Sequence, residues 1–213
     1  MTSKPGSSSN GHSEDTRHAK VEVAIDYAAL SMKDHCPLGM YVIPSIESLL
    51  VWAGVLFVHQ GYYADAILKF RLTFPPSYPD QPPIVQFTTD VFHPLIAQND
   101  GTMNLRPRFN PWRAKHHRVF HVLHFIKTTF KKHELDLISE HECLNKEAYR
   151  YHDSTSSFAA LATQSAMLSQ SASALFDRDH PSMSGRYHDI VFHEVQDEDL
   201  ENLREKLGLQ SWN

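Results

Sequence analysis

Apolar positions along the chain change period several times, and each change marks an element. From Ala19 to Asp34 they recur at helical spacing, with Val23, Tyr27 and Leu30 on one face, until Pro37 and Gly39 stop the helix. An extended segment, Met40 to Ile43, follows. Leu49 to Val58 is apolar without alternation, the pattern of a strand covered on both faces, and Gln60-Gly61 then supplies a turn. Leu68, Phe70, Leu72 and Phe74 alternate with Lys69, Arg71 and Thr73, which predicts a half-buried strand. The run from Pro75 to Pro83 can be neither helix nor central strand, because proline has no N–H to donate. A short strand, Ile84 to Phe87, leads into Phe92-His93-Pro94 and an irregular section ending near Trp112. Beyond it Val119, Val122, Leu123, Ile126 and Phe130 return to helical spacing, with His117, His121, His124 and Lys131 opposite. Further helices are expected over Leu144 to His152, Ser156 to Phe176 and Asp197 to Leu207, the last with Leu200, Leu203 and Leu207 in one stripe and Gly208 as its stop. The order is helix, four strands as an antiparallel meander, then helices: an α+β arrangement.

Composition narrows the setting. The 213 residues suit one domain with tails, and 41% hydrophobic residues exclude disorder throughout. Residues 1–18 are polar and are expected to be a disordered tail, residues 19–180 the domain, and residues 181–213 an extension with a short amphipathic helix. The formal charge of −5 has the wrong sign for a general nucleic-acid binder. Two cysteines, Cys36 and Cys143, are too few for a disulfide framework. No charged-then-apolar leader opens the chain, and the run Leu49 to Val58 is about half of what a bilayer span needs. A cytoplasmic protein is the expectation, with no cofactor and no metal.

One segment carries more. Phe74-Pro75-Pro76-Ser77-Tyr78-Pro79-Asp80-Gln81-Pro82-Pro83, followed by Phe92-His93-Pro94 and Trp112, resembles the F-P-x-x-Y-P-x-x-P-P loop, His-Pro and tryptophan of ubiquitin-conjugating (E2) enzymes. In active members an asparagine follows His-Pro, and a nucleophilic cysteine stands in a G-x-x-C-L pattern. Here Leu95 occupies the first position. Gly101-Thr102-Met103-Asn104-Leu105 puts Asn104 in the second. The reaction needs a thiolate that attacks a thioester and a donor for the developing oxyanion, and neither residue supplies one. The resemblance therefore implies an E2-like chain with a degenerate site, His93, Leu95 and Asn104, and no catalysis. Phe74, Pro75, Tyr78, Pro79, Pro82, Pro83, His93, Pro94 and Trp112 are read as structural.

The likeness extends to a narrower group. Gly39-Met40-Tyr41-Val42, Trp52-Ala53-Gly54-Val55, Val91-Phe92-His93-Pro94-Leu95, Phe109-Asn110-Pro111-Trp112-Arg113, Leu144-Asn145-Lys146-Glu147-Ala148 and Ala174-Leu175-Phe176-Asp177 resemble the Fused Toes family, also called AKT-interacting protein. That resemblance implies a subunit of an assembly with a Hook-type coiled-coil protein and an FHIP-type protein. The assembly links early endosomes and vesicles to dynein, so any membrane association is peripheral and through partners. The alternative is an E2 variant that binds ubiquitin and assists an active E2.

Other candidates are weighed residue by residue. Cys143 lies in Glu140-His141-Glu142-Cys143, where the carboxylates should raise its pKa, and it is read with Cys36 as a packing cysteine. His117, His121 and His124 are read as a solvated helix face, not a metal site, for want of further ligands at metal-binding spacing. From Arg106 to Lys132 the chain holds Arg106, Arg108, Arg113 and Arg118 and four lysines without a carboxylate. That block either docks an acidic partner or is neutralised by Glu134, Asp136, Glu140 and Glu142 directly after it. The Leu200, Leu203 and Leu207 stripe either meets a partner or, as short helices are marginal alone, packs on its own domain.

Overall fold

The strongest constraint on this chain is the run of alternating and continuous apolar strands, and it is satisfied by one four-stranded sheet. The computed structural model describes residues 9–152, 154–176 and 190–208. Strands β1 (Met40–Pro44), β2 (Val51–Phe57), β3 (Ile67–Thr73) and β4 (Ile84–Phe87) pair antiparallel in the order β1-β2-β3-β4. Tyr41 faces Val55 and Val55 faces Lys69, while Phe70 faces Phe87. With period 2, this register sends Met40, Val42, Trp52, Leu56, Leu68, Phe70, Leu72, Val85 and Phe87 to one face, where all are buried.

Helix α1 (Ser9–Ala29) precedes the sheet, and α2 (Val119–Thr128) follows it. Val122, Leu123 and Ile126 of α2 join the inner sheet face in a single core. Three short pieces come next, α3 (Lys132–Leu135), a 3-10 turn (Glu140–Glu142) and α4 (Lys146–His152), followed by the longer α5 (Thr155–Ser169). Then come α6 (Ala172–Leu175) and, in the extension, α7 (Asp197–Lys206). The expected α+β order holds throughout.

The structure departs from the sequence reading in several places. Helix α1 begins at Ser9, so residues 9–18, expected to be part of the tail, are helical; residues 1–8 lie outside the described residues. A polar sequence argues against burial, not against a helix: once Ala19, Val23 and Asp26 dock, the helix extends backwards at one hydrogen bond per residue fixed. The helix expected over Ser156 to Phe176 is two, because Ser171 caps a new start by accepting the Ala174 N–H.

Lys69, expected on the open face of β3, is only 3% exposed. Its Nζ donates to Leu175 O at 2.7 Å and lies 5.4 Å from the ring centre of Phe192, so the chain's C-terminal part covers that face. The stripe Leu200, Leu203 and Leu207, expected either to meet a partner or to pack on its own domain, is 40, 49 and 66% exposed. Residues 177–189, which include Asp179-His180-Pro181, lie outside the described residues.

The free edge of the sheet is blunted. Phe57 N–H donates to Gly39 O, which makes Tyr41 and Ile43 the residues bonded to β2 and turns Met40, Val42 and Pro44 outward. Met40 N–H is taken by Pro37 O, its carbonyl accepts the Cys36 thiol, and Pro44 has no N–H. That leaves Val42 as the one outward residue of β1 offering both backbone groups, too little for strand addition.

Candidate functional site

Residues 92–105 form a narrow double strand beyond β4. Isolated bridges join Ile96 to Met103 and Gln86 to Thr102, and Met103 N–H donates to Val85 O. The fold thus brings together His93, Leu95 and Asn104, the three residues expected from the sequence to form a degenerate site.

His93 is fully buried, with Nε2 3.0 Å from Thr129 O and Nδ1 3.1 Å from Leu95 N. The Leu95 N–H can only donate to Nδ1, and the Thr129 carbonyl can only accept from Nε2. One neutral tautomer satisfies both. Burial holds its pKa down at about 4, although the Thr129 carbonyl pulls the other way. Leu95 is fully buried too, and its carbonyl accepts the Asn104 N–H at 2.8 Å.

The asparagine at position 104 is occupied at both ends. Its Nδ2 donates to Glu142 O at 2.7 Å, and its Oδ1 accepts the Arg106 N–H at 3.0 Å. It staples the 3-10 turn to the loop that carries it. The zipper continues as Leu144 N–H and Asn145 N–H both donate to Pro94 O at 3.0 Å. A cysteine offers one weak donor and one weak acceptor in place of an amide's two strong groups, and could not hold both partners.

Neither thiol replaces it. Cys143 follows Glu142 directly, so its backbone borders the site. Its side chain is buried, donates to Ser139 O, and has a pKa pushed up to about 11 by burial first and then by Glu142 and Glu140. The direction agrees with the sequence reading; the main cause is desolvation, which only packing decides. Burial also raises the pKa of Cys36, which donates to Met40 O.

The proline loop is pinned by the residues that mark it in the sequence. Tyr78 is buried and its hydroxyl donates to Asp26, itself 2% exposed, while Trp112 Nε1 donates to Pro79 O at 2.7 Å. Arg118 closes the network, with Nε 2.8 Å from Asp26 and Nη1 2.9 Å from Glu22. Arg118 therefore ties α2 to α1 and is withdrawn from the candidates for partner binding. The carboxylates that neutralise it lie on α1, about 90 residues away in sequence, not in the acidic run after it. From that run Asp136 pairs with Lys132, while Glu142 is bonded to Ser139. Arg106, Arg108 and Arg113 are exposed and form no ion pair with another described residue.

The histidines do more than face solvent. His117 Nδ1 accepts the Arg113 N–H, His121 Nδ1 accepts the Arg118 N–H at the start of α2, and His124 Nε2 lies 2.8 Å from Asp34 O. Burial first, then neighbouring positive side chains, lowers the pKa of His117 and His121. The bonded forms are the unprotonated ones at Nδ1, which the periodicity of α2 gives no means of reading.

The chain has known relatives. The ubiquitin-conjugating enzyme family profile matches residues 22–165. The chain is 31% identical over 185 residues to a crossbronx-like protein of Drosophila virilis, covering 82% of this chain and 70% of that one. It is 40% identical over 125 residues to the AKT-interacting protein of Danio rerio, and 38% over 104 residues to that of Mus musculus. The chain belongs to the Fused Toes branch of the ubiquitin-conjugating-enzyme family. The matches to the fish and mouse AKT-interacting proteins cover 58% and 48% of this chain, and 41% and 35% of theirs. Among the described residues of this Fused Toes chain, no helix is long and apolar enough to cross a membrane.

His93 makes this Fused Toes fold acid-sensitive. Its folded pKa of about 4 lies below the ordinary 6.5, so the unfolded chain binds the extra proton first. The stabilisation is complete above pH ~6.5 and is lost as pH falls toward 4, about 2 kcal/mol of it between pH 7 and 5. Urea unfolding at the two pH values should show that loss in the wild type and a smaller one in His93→Gln. Equal losses in both proteins would remove His93 as the cause. His117 and His121 shift in the same direction and add to it.

Proposed function

We propose that this chain is a non-catalytic E2-like adaptor: a subunit that joins a Hook-type coiled-coil protein and an FHIP-type protein and links early endosomes or vesicles to dynein. In this reading the protein is cytoplasmic and reaches membranes through those partners. The observation that carries it is Asn104. Where an active relative needs a nucleophile, this chain has an amide committed at both ends to backbone groups. The two thiols are held in their protonated form by burial, which supports the same reading. The partners named are those that the resemblance to the Fused Toes family implies. The exposed Arg106, Arg108 and Arg113 and the exposed Leu200, Leu203 and Leu207 are the candidate contact surfaces.

Affinity purification of the full chain from its own cells, read by mass spectrometry, should recover a Hook-type and an FHIP-type protein. Recovery of neither would overturn the adaptor reading. In parallel, incubation with E1, ubiquitin and ATP should give no dithiothreitol-sensitive band. Such a band would overturn the non-catalytic reading whatever the partners. Recovery of an active E2 together with NMR shifts on ubiquitin titration would point to the ubiquitin-binding alternative.

A further inference from the structure

A groove of about 570 Å³ lies away from the degenerate site, between the end of β2 with its following turn and the C-terminal end of α2. Its apolar surface comes from Phe57 and Val58, which are half-buried in the wall, while Leu56 and Phe130 lie buried beneath it. Lys127, Lys131, Lys132, His59 and His133 supply the polar lining, and no described residue that lines it is a carboxylate. Lys132 is bonded to Asp136 nearby, while Lys127 Nζ donates to the neutral carbonyl of Leu38 and has no ion pair with another described residue. Lys131 is exposed and has no ion pair with another described residue. In a chain of net charge −5, this is a local reversal of sign around an apolar floor.

One segment of the chain has the complementary chemistry. Helix α7 carries Leu200, Leu203 and Leu207 at i, i+3 and i+7, exposed, and is flanked by Asp197, Glu198, Asp199, Glu201 and Glu205 in its sequence. It is also tethered close by. Phe192 packs edge-on against Phe57, a groove residue, at 6.4 Å between ring centres, and over Lys69. Only residues 193–196 separate that anchor from α7, a reach of roughly 13 Å for four extended residues. A tether that short corresponds to an effective concentration on the order of millimolar, enough for a weak docking to be populated.

We propose that the groove is a receptor for an acidic, leucine-bearing helix and that its resident occupant is α7 of the same chain, which moves from its exposed position to seat its leucines on the apolar floor and its carboxylates on the lysines. Phe192 is the hinge anchor. Closing covers both the groove and the leucine stripe, so a partner that takes either one competes with the docked helix.

The probe is a fluorescein-labelled synthetic peptide of residues 196–208, followed by anisotropy against the full chain and a chain ending at Gln196. The shortened chain keeps Phe192 and its contacts. It should bind the peptide, and binding should weaken at least about tenfold when Lys131→Glu is introduced and again as salt is raised. The full chain should bind at least about tenfold more weakly than the shortened one, because α7 already competes, and Leu203→Asp in the full chain should restore binding. No binding to the shortened chain, or equal binding to it and its Lys131→Glu variant, overturns the receptor. Equal binding to the full and shortened chains overturns α7 as occupant. Sedimentation of the shortened chain with phosphatidylserine vesicles, without peptide binding, would reassign the basic rim to a membrane surface and overturn the proposal. None of these outcomes bears on the catalytic or adaptor readings, which rest on Asn104 and on the partners recovered from cells.

Discussion

Replacing Gly101 by alanine is expected to destabilise the protein by about 4 kcal/mol, among the largest effects of any single substitution in it. Gly101 has φ +71°, and an added Cβ would stand 2.0 Å from the backbone oxygen of Phe87. That neighbour cannot yield cheaply. Phe87 N–H donates to Gly101 O at 2.8 Å, and Phe87 pairs with Phe70 in the sheet, so relief of the clash must part β4 from the loop or β4 from β3. Urea unfolding followed by circular dichroism measures the loss. A Gly101→Ala protein within about 1 kcal/mol of wild type would show that the contact relaxes. Gly61 is the control: its φ is also positive, at +90°, but the nearest atom to an added Cβ is Phe130 O at 3.6 Å. Alanine there should cost about 1 kcal/mol, the strain of the dihedral alone.

Arg118→Ala should cost about 2–3 kcal/mol, through Asp26 and not through Arg118 itself. Asp26 is 2% exposed and is held by two groups, the Tyr78 hydroxyl and Arg118 Nε. Removing the guanidinium leaves a buried carboxylate with a neutral donor, a loss usually put at about 3–5 kcal/mol and smaller here because the Arg118 side chain is 27% exposed. Asp26→Asn in the same chain removes the charge that needs a partner, so the double variant should recover part of the loss. Arg113→Ala, an exposed neighbour from the same basic block, should stay within about 0.5 kcal/mol of wild type. If chemical unfolding gave Arg118→Ala the same small effect, Asp26 would have to be satisfied some other way. Because the loss is of stability, reduced partner recovery with an Arg118 variant would not identify a contact surface.

The two predictions divide along what could be read in advance. Gly101 stands three residues before Asn104 in the motif that the sequence shows, and its role is the same backbone approach that seats the loop against β4. The strands, their order and the buried face of α2 were legible because period 2 and period 3.6 report which side chains leave water, and removing apolar surface from water is the dominant driving force of folding. Arg118 looked like part of a free basic block, since its partners, Glu22 and Asp26, lie on the other side of the sheet's sequence. Charge pairing across such separations leaves no local pattern.

Sequence alone determined the α+β order, the proline loop, the presence of Leu95 and Asn104 after it, and the acidic neighbours of Cys143. Each is a property of a residue and its near neighbours in the chain. The tertiary structure decided what those residues do instead: His93 locked in one tautomer, Asn104 stapling Glu142 and Arg106, Lys69 buried beneath Leu175 and Phe192, and the leucines of α7 left exposed. These depend on which distant segment arrives within hydrogen-bonding or packing distance. That is set by how the whole core closes, and hydrophobic periodicity carries no record of it.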